Sequence, residues 1–115
     1  MFTQAILTVM VSDMKRAIAF YVDTLGFTKQ AVYGDEWADV ELPGLKLGLH
    51  PGGKVRERDR HYSIGFRVDD LDAATAALAA KGVAFQPTRQ DRGSRIANFT
   101  DPDGNPMYLI ELKWG

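Results

Sequence analysis

Apolar positions along the chain repeat with two periods, and the switches between them divide it into elements. "QAILTVMV" (4–11) is β-branched and apolar and predicts a strand. In "SDMKRAIAFYVDTLG" (12–26), Met14, Ala17, Ile18, Tyr21 and Leu25 recur at helical spacing. Ser12 or Asp13 can cap that helix, because a side-chain oxygen there accepts from the free N–H groups of the first turn, and Gly26 suits its left-handed stop. Strands are expected over roughly 27–33, 36–42 and 45–50, turned by "YGDE" and "LPG". "PGGKVRERDR" (51–60) breaks the pattern and reads as a connector. Beyond it, "HYSIGFRV" (61–68) alternates cleanly as a strand. "DDLDAATAALAAKG" (69–82) predicts an alanine-rich helix with Asp69 as its cap and Asp72 in its first turn. Strands are expected again near 83–87, 94–100 and 106–112.

The order is β-α-β-β-β, twice. "VSDMKRAIAFYVDTLGF" (11–27) lies over "VDDLDAATAALAAKGV" (68–83), and "ELPGLKLGL" (41–49) over "DPDGNPMYL" (101–109) through Gly44 and Gly104. An internal repeat sets the fold more firmly than any single motif. The expected class is α+β: two βαβββ modules in tandem, over about 1–50 and 61–115, joined by the connector at about 51–60. At 115 residues the chain is expected to be one domain.

Strand side chains alternate between faces, so parity sorts them. One set is almost wholly apolar: Ala5, Leu7, Val9, Val11, Ala38, Val40, Leu42, Leu45, Leu47, Leu49, Tyr62, Ile64, Phe66, Val68, Met107 and Leu109. It should pack under the helices. Glu111 falls with this set or at an edge. The other set mixes Gln4, Ile6, Thr8, Met10, Trp37, Asp39, Glu41, Lys46, Gly48, His50, His61, Ser63, Gly65, Arg67, Asn98, Thr100, Tyr108 and Ile110. Apolar walls with a few polar groups are what a small-molecule cavity needs. The alternative is a half-exposed sheet with scattered surface residues.

Bulk properties narrow the functional classes. Apolar residues make up 45% and charged residues 25%, and the net charge is −1, so nothing in the charge balance argues for nucleic acid or a membrane surface. The absence of cysteine excludes thiolate metal sites and a cysteine nucleophile. No apolar run approaches the ~20 residues of a membrane span, and "MFTQAILTVMVSD" does not read as a signal peptide. A cytoplasmic protein is expected.

Several side chains on the mixed face can carry chemistry. His50 and His61 are of the one residue type whose ordinary pKa lies near neutrality, which suits a ligand hydrogen bond, a general base or simply a solvated rim. Trp37 can stack on a planar ligand or pack against a second chain. Asp39, Glu41 and Arg67 can pair among themselves, or Arg67 can hold a ligand carboxylate or phosphate through its planar fork. "KVRERDR" and the loop expected at "TRQDRGSR" could gate an anionic ligand or be plainly solvated.

"VSDMKRAIAFYVDTLGF", "VDDLDAATAALAAKGV" and "DPDGNPMYLIEL", in this order, resemble the vicinal oxygen chelate superfamily of glyoxalases, bleomycin resistance proteins and dioxygenases. The resemblance covers essentially the whole chain. It implies curled mixed sheets around a cavity with the helices outside, and commonly a homodimer. It also implies four metal-ligand positions, which fall by motif on Ile6, Gly48, Ser63 and Tyr108, where the metal enzymes carry His, Gln or Glu. Ile6 and Gly48 offer no donor, and Ser63 and Tyr108 are poor neutral ones. The resemblance therefore implies the ligand-binding branch. Such a protein needs no cofactor and holds a small organic molecule through Trp37, Glu41, His50, His61, Ser63, Arg67 and Tyr108. Two alternatives stay open. One is a lyase, isomerase or dioxygenase type of enzyme with a divalent metal at a displaced set, Glu41, His50 and His61. The other is a metal-free acid–base enzyme with His50 or Glu41 as base and Tyr108 as proton donor.

Overall fold

In a computed structural model, the described residues are 1–54, 56 and 61–112. Most of "KVRERDR" and the last three residues of the chain lie outside them. The described residues form two four-stranded sheets, one in each of two compact units, Met1–Val55 and Arg56–Gly115. The class is α+β, and the tandem βαβββ modules are both present.

In the first unit, β1 (Leu7–Val11) leads into α1 (Met14–Ile18), which widens into a π-helical turn over Ala19–Thr24. Then come β2 (Thr28–Tyr33), β3 (Trp37–Leu42) and β4 (Leu45–Pro51). The sheet order is β1-β4-β3-β2, with β1 and β4 parallel and the other neighbours antiparallel. Parallel partners need a long crossover between them. Here the crossover holds the helix, which is thereby laid against the sheet. Asp13 caps α1, its carboxylate accepting from the Arg16 N–H at 3.0 Å. Gly26 (φ +86°) ends the helical run, and the Phe27 N–H then donates back to the Tyr21 carbonyl at 2.8 Å.

The helix-facing side of this sheet is the core. Val9, Ala38, Val40, Leu47 and Leu49 are completely buried, with Tyr21 of the helix. Each aliphatic side chain of that size stabilises the fold by about 1.5–3 kcal/mol. Tyr21 sits edge-on to both Phe20 and Phe27, at centroid distances of 5.4 and 5.6 Å.

The second unit repeats this plan with β5 (Ile64–Arg67), α2 (Leu71–Ala79), β6 (Arg89–Asp91), β7 (Ser94–Thr100) and β8 (Pro106–Leu112). Its order is β5-β8-β7-β6, with β5 and β8 parallel. Ile64, Leu71, Ala97, Phe99, Met107 and Leu109 form its core.

Four expectations need correction. Residues 83–87 do not form a strand, although Val83 is buried and the Gln86 N–H donates to the Asn98 carbonyl at 2.9 Å. Pro87 has no N–H to give a ladder, so the edge strand β6 starts only at Arg89. "TRQDRGSR" is accordingly a hairpin, with Asp91 opposite Ser94, and not a loop. The cap of α2 is Asp70, which accepts from the Ala73 N–H at 3.0 Å, because the helix begins one residue later than its charge pattern suggests. Ala5 and Tyr62 are exposed, since both precede their strands and no ladder fixes their parity.

Glu111 does lie on the helix-facing side. Its Oε2 accepts from the Leu71 N–H at 2.7 Å, satisfying a first-turn donor of α2. Arg95 on β7 reaches Glu111 at 3.7 Å and Asp72 at 2.9 Å, tying helix and sheet together. The turn "DPDGNP" is a closed polar knot around the buried Asp101. That carboxylate accepts from the N–H groups of Asp103 and Asn105, both at 2.9 Å, and from the Asn105 side-chain amide at 2.7 Å. Gly104 holds φ +90° within it.

Two predictions follow from these polar links. Asp101→Ala strands several buried donors and should lower the unfolding free energy by about 3 kcal/mol in urea titrations. The Arg95 guanidinium, by hydrogen bond and then by charge, holds the Asp72 carboxyl below the usual carboxylate range. Ionised Asp72 therefore favours the fold above about pH 4, its unfolded value. That contribution is lost as the pH falls through the lower folded value. Arg95→Met should flatten the fall in melting temperature as the pH drops below about 4.

Candidate functional site

The face of the first sheet turned away from α1 carries most of the candidate chemistry. Residues directly opposite in a ladder share a face. The register sets Thr8 and Asp39 on either side of Gly48, Met10 opposite His50, Glu41 opposite Lys46, and Tyr33 opposite Trp37. Trp37 does not stand away from this surface. Its six-membered ring lies over Gly48, where a Cβ would overlap indole Cζ2 and Cη2. A side chain at position 48 and the indole of Trp37 cannot occupy that spot together.

The indole is held on other sides as well. Its Nε1–H donates to Asp39 Oδ1 at 2.7 Å. His50 meets it edge-on, at 6.0 Å and 73°. The imidazole Nδ1 lies 2.8 Å from the Pro51 carbonyl. That oxygen can only accept, so Nδ1 donates in this contact, which leaves Nε2 unengaged by it. Lys46 extends the row, with Nζ 3.9 Å from Asp39 Oδ2 and 3.4 Å from Gln4 Oε1. Glu41 stands apart from His50. It pairs with Lys46, four residues along β4 from His50, which is about 13 Å along the strand. Glu41 instead lines a shallow hollow of about 400 Å³ with Thr28, Leu42, Pro43 and Gly44.

The second unit uses the same device with the partners exchanged. Tyr108 of β8 lies between Gly65 and Asn98 in the ladders, and a Cβ on Gly65 would overlap its Cζ and Oη. The phenol thus lies across β5 instead of pointing away from the sheet. Arg67, opposite Ile110, is exposed at the end of β5. His61 and Ser63 are exposed and precede β5, so no ladder positions them.

The structure therefore gathers Trp37 and His50 in one unit and leaves Glu41 at a different part of that face. In the other unit it places Tyr108 centrally, with Arg67 at the strand end. Asp39 is the residue whose part the sequence reading missed. The signal was the W-x-D spacing, which sets both side chains on one face of a strand.

The four positions at which the resemblance implies metal ligands do not fit a metal ion. Ile6 has no donor and is 48% exposed just ahead of β1, and the side-chain position at Gly48 is filled by Trp37. Among the described residues of either unit, no three His, Asp or Glu side chains converge on a point.

Comparison with known proteins adds the family. The model for the Glyoxalase/Bleomycin resistance protein/Dioxygenase superfamily matches residues 3–109. The chain is 36% identical over 121 residues to the uncharacterized protein YaeR of Escherichia coli, covering 91% of this chain and 92% of that one. It is 33% identical over 102 residues to the metallothiol transferase FosB of Lysinibacillus sphaericus, covering 83% and 72%. TnmS3, an antibiotic binding protein from a Streptomyces species, superposes with a TM-score of 0.76 at 30% identity, covering 97% and 99%.

The seat of Trp37 is open to a direct test. Gly48→Ala should dislodge the indole, shift its emission to the red and destabilise the protein by about 1–3 kcal/mol. Gly65→Ala, which disturbs Tyr108 instead, should leave that emission in place.

Proposed function

Because the chain belongs to the glyoxalase/bleomycin resistance protein/dioxygenase superfamily, we propose that it is a metal-independent binding protein for a small, flat, partly polar organic molecule. One observation carries this reading: Trp37 occupies the side-chain space of Gly48, a position where the family's metal enzymes place a ligand. A ring already seated on the sheet loses little freedom when a second ring stacks on it, so less of the binding energy goes into ordering. In this reading Trp37 is the stacking surface and His50 Nε2 accepts a hydrogen bond at its edge. The second unit, taken by itself, presents Tyr108 as a hydroxyl and Arg67 as a fork for an anionic group. The likeness to TnmS3, an antibiotic binding protein, supports a binding role. We further propose that the protein works in the cytoplasm as a homodimer.

A second reading has its own support. FosB is a metallothiol transferase and is 33% identical over most of the chain. A metal-dependent enzyme would then use a ligand set other than Ile6, Gly48, Ser63 and Tyr108.

Metal analysis of protein purified without chelator, together with calorimetric titration of a planar probe such as acridine, separates the two. The binding reading expects well under one divalent ion per chain. It also expects a loss of acridine affinity of about tenfold in Trp37→Ala, the size of a lost stacking contact. One tightly held divalent ion per chain would overturn it.

A further inference from the structure

We propose that Asp39 is a positioning residue, which locks the Trp37 indole over Gly48 and thereby sets what the ring can offer a ligand. The proposal rests on the binding role given to Trp37 above.

The geometry gives the indole a floor but no inherent lock. Gly48 provides a surface over which the ring can lie, and with no Cβ it offers no side chain to hold the ring's edge. The bond from Nε1–H to Asp39 Oδ1 supplies that hold. At 2.7 Å to an ionised oxygen it belongs to the short, strong class. The side chain of Asp39 is only 18% exposed and that of Lys46 20%, so solvent screens the row incompletely. The second oxygen of Asp39 faces Lys46, whose ammonium also reaches Gln4. Asp39 is thus oriented from its far side while it orients Trp37 from its near side.

This arrangement has a consequence for the ligand. An indole has one hydrogen-bond donor and no acceptor. Here the donor is already used within the protein. Trp37 therefore presents a ligand with a π face and an apolar edge only. The ligand class that fits is a flat ring recognised by stacking, whose polar atoms are met by other groups and not by the indole N–H.

The test uses full-length protein with Trp114→Phe, so that Trp37 is the sole emitter. Time-resolved anisotropy reads ring motion without ligand, and acridine titration reads affinity. Asp39→Ala is expected to add a fast local component to the anisotropy decay and to weaken acridine about fivefold through lost preorganisation. Asp39→Asn, whose amide oxygen still accepts from the indole, should preserve the decay. In Trp37→Phe protein, which lacks the N–H, Asp39→Ala should change affinity by less than about twofold, because the coupling is gone. If Asp39→Ala does not fold, Asp39→Leu keeps the volume without the acceptor and serves in its place. An unchanged decay on losing the acceptor would overturn the proposal, as would an equal affinity loss with and without the indole N–H. Failure of acridine to bind the otherwise unmodified protein would instead count against the binding reading, with the anisotropy still deciding the role of Asp39.

Discussion

A four-stranded sheet that owns a single helix can bury only one of its faces within its own unit. That constraint organises both modules. Val9, Val40, Leu47 and Leu49 in one, and Met107 and Leu109 in the other, all share the parity that faces the helix. Glu111 shares it too, and its carboxylate serves the first turn of α2. The opposite parity is released from core packing, and it is there that Trp37, Asp39, His50 and Tyr108 are found. Division of labour between faces follows from period-two alternation before any functional group is considered.

Much of this was legible in the sequence, because the signals are local. The repeat, the βαβββ order, the Asp13 cap and the two-sided strands each depend on residues close together in the chain. The errors came at element boundaries, where a single residue decides. Pro87 moved the edge strand downstream, and the boundary of α2 fell one residue beyond the first acid. The two aromatic seats were invisible for a different reason. A glycine within a strand signals a bulge, a bend or a close approach. Only the register of a second strand reveals that the approaching group is a ring: Trp37 from β3 for Gly48, and Tyr108 from β8 for Gly65. The part played by Asp39 was hidden because acids and bases on one face usually pair, and here one carboxylate oxygen faces a lysine while the other serves an indole.

The modules are thus alike in topology and unlike in chemistry. Gly48 and Tyr108 correspond in the repeat, yet one is the floor beneath a ring and the other supplies a ring. The halves share the hydrogen-bonded frame and the buried parity, which tolerate little change. On the other face each half carries its aromatic group on a different strand. A shared fold with FosB and TnmS3 is consistent with this freedom, since the frame says little about what the mixed face does.

The pairing of Trp37 with Gly48 also constrains how this protein can evolve. With the indole seated, any side chain gained at position 48 collides with it; with the indole gone, that collision is removed. The effect of one substitution therefore depends on the state of the other. A lineage acquiring a donor at position 48 therefore keeps more stability if it loses the tryptophan first, and one holding a donor if it loses it before the tryptophan settles. Intermediates carrying both features are disfavoured by the stability they give up.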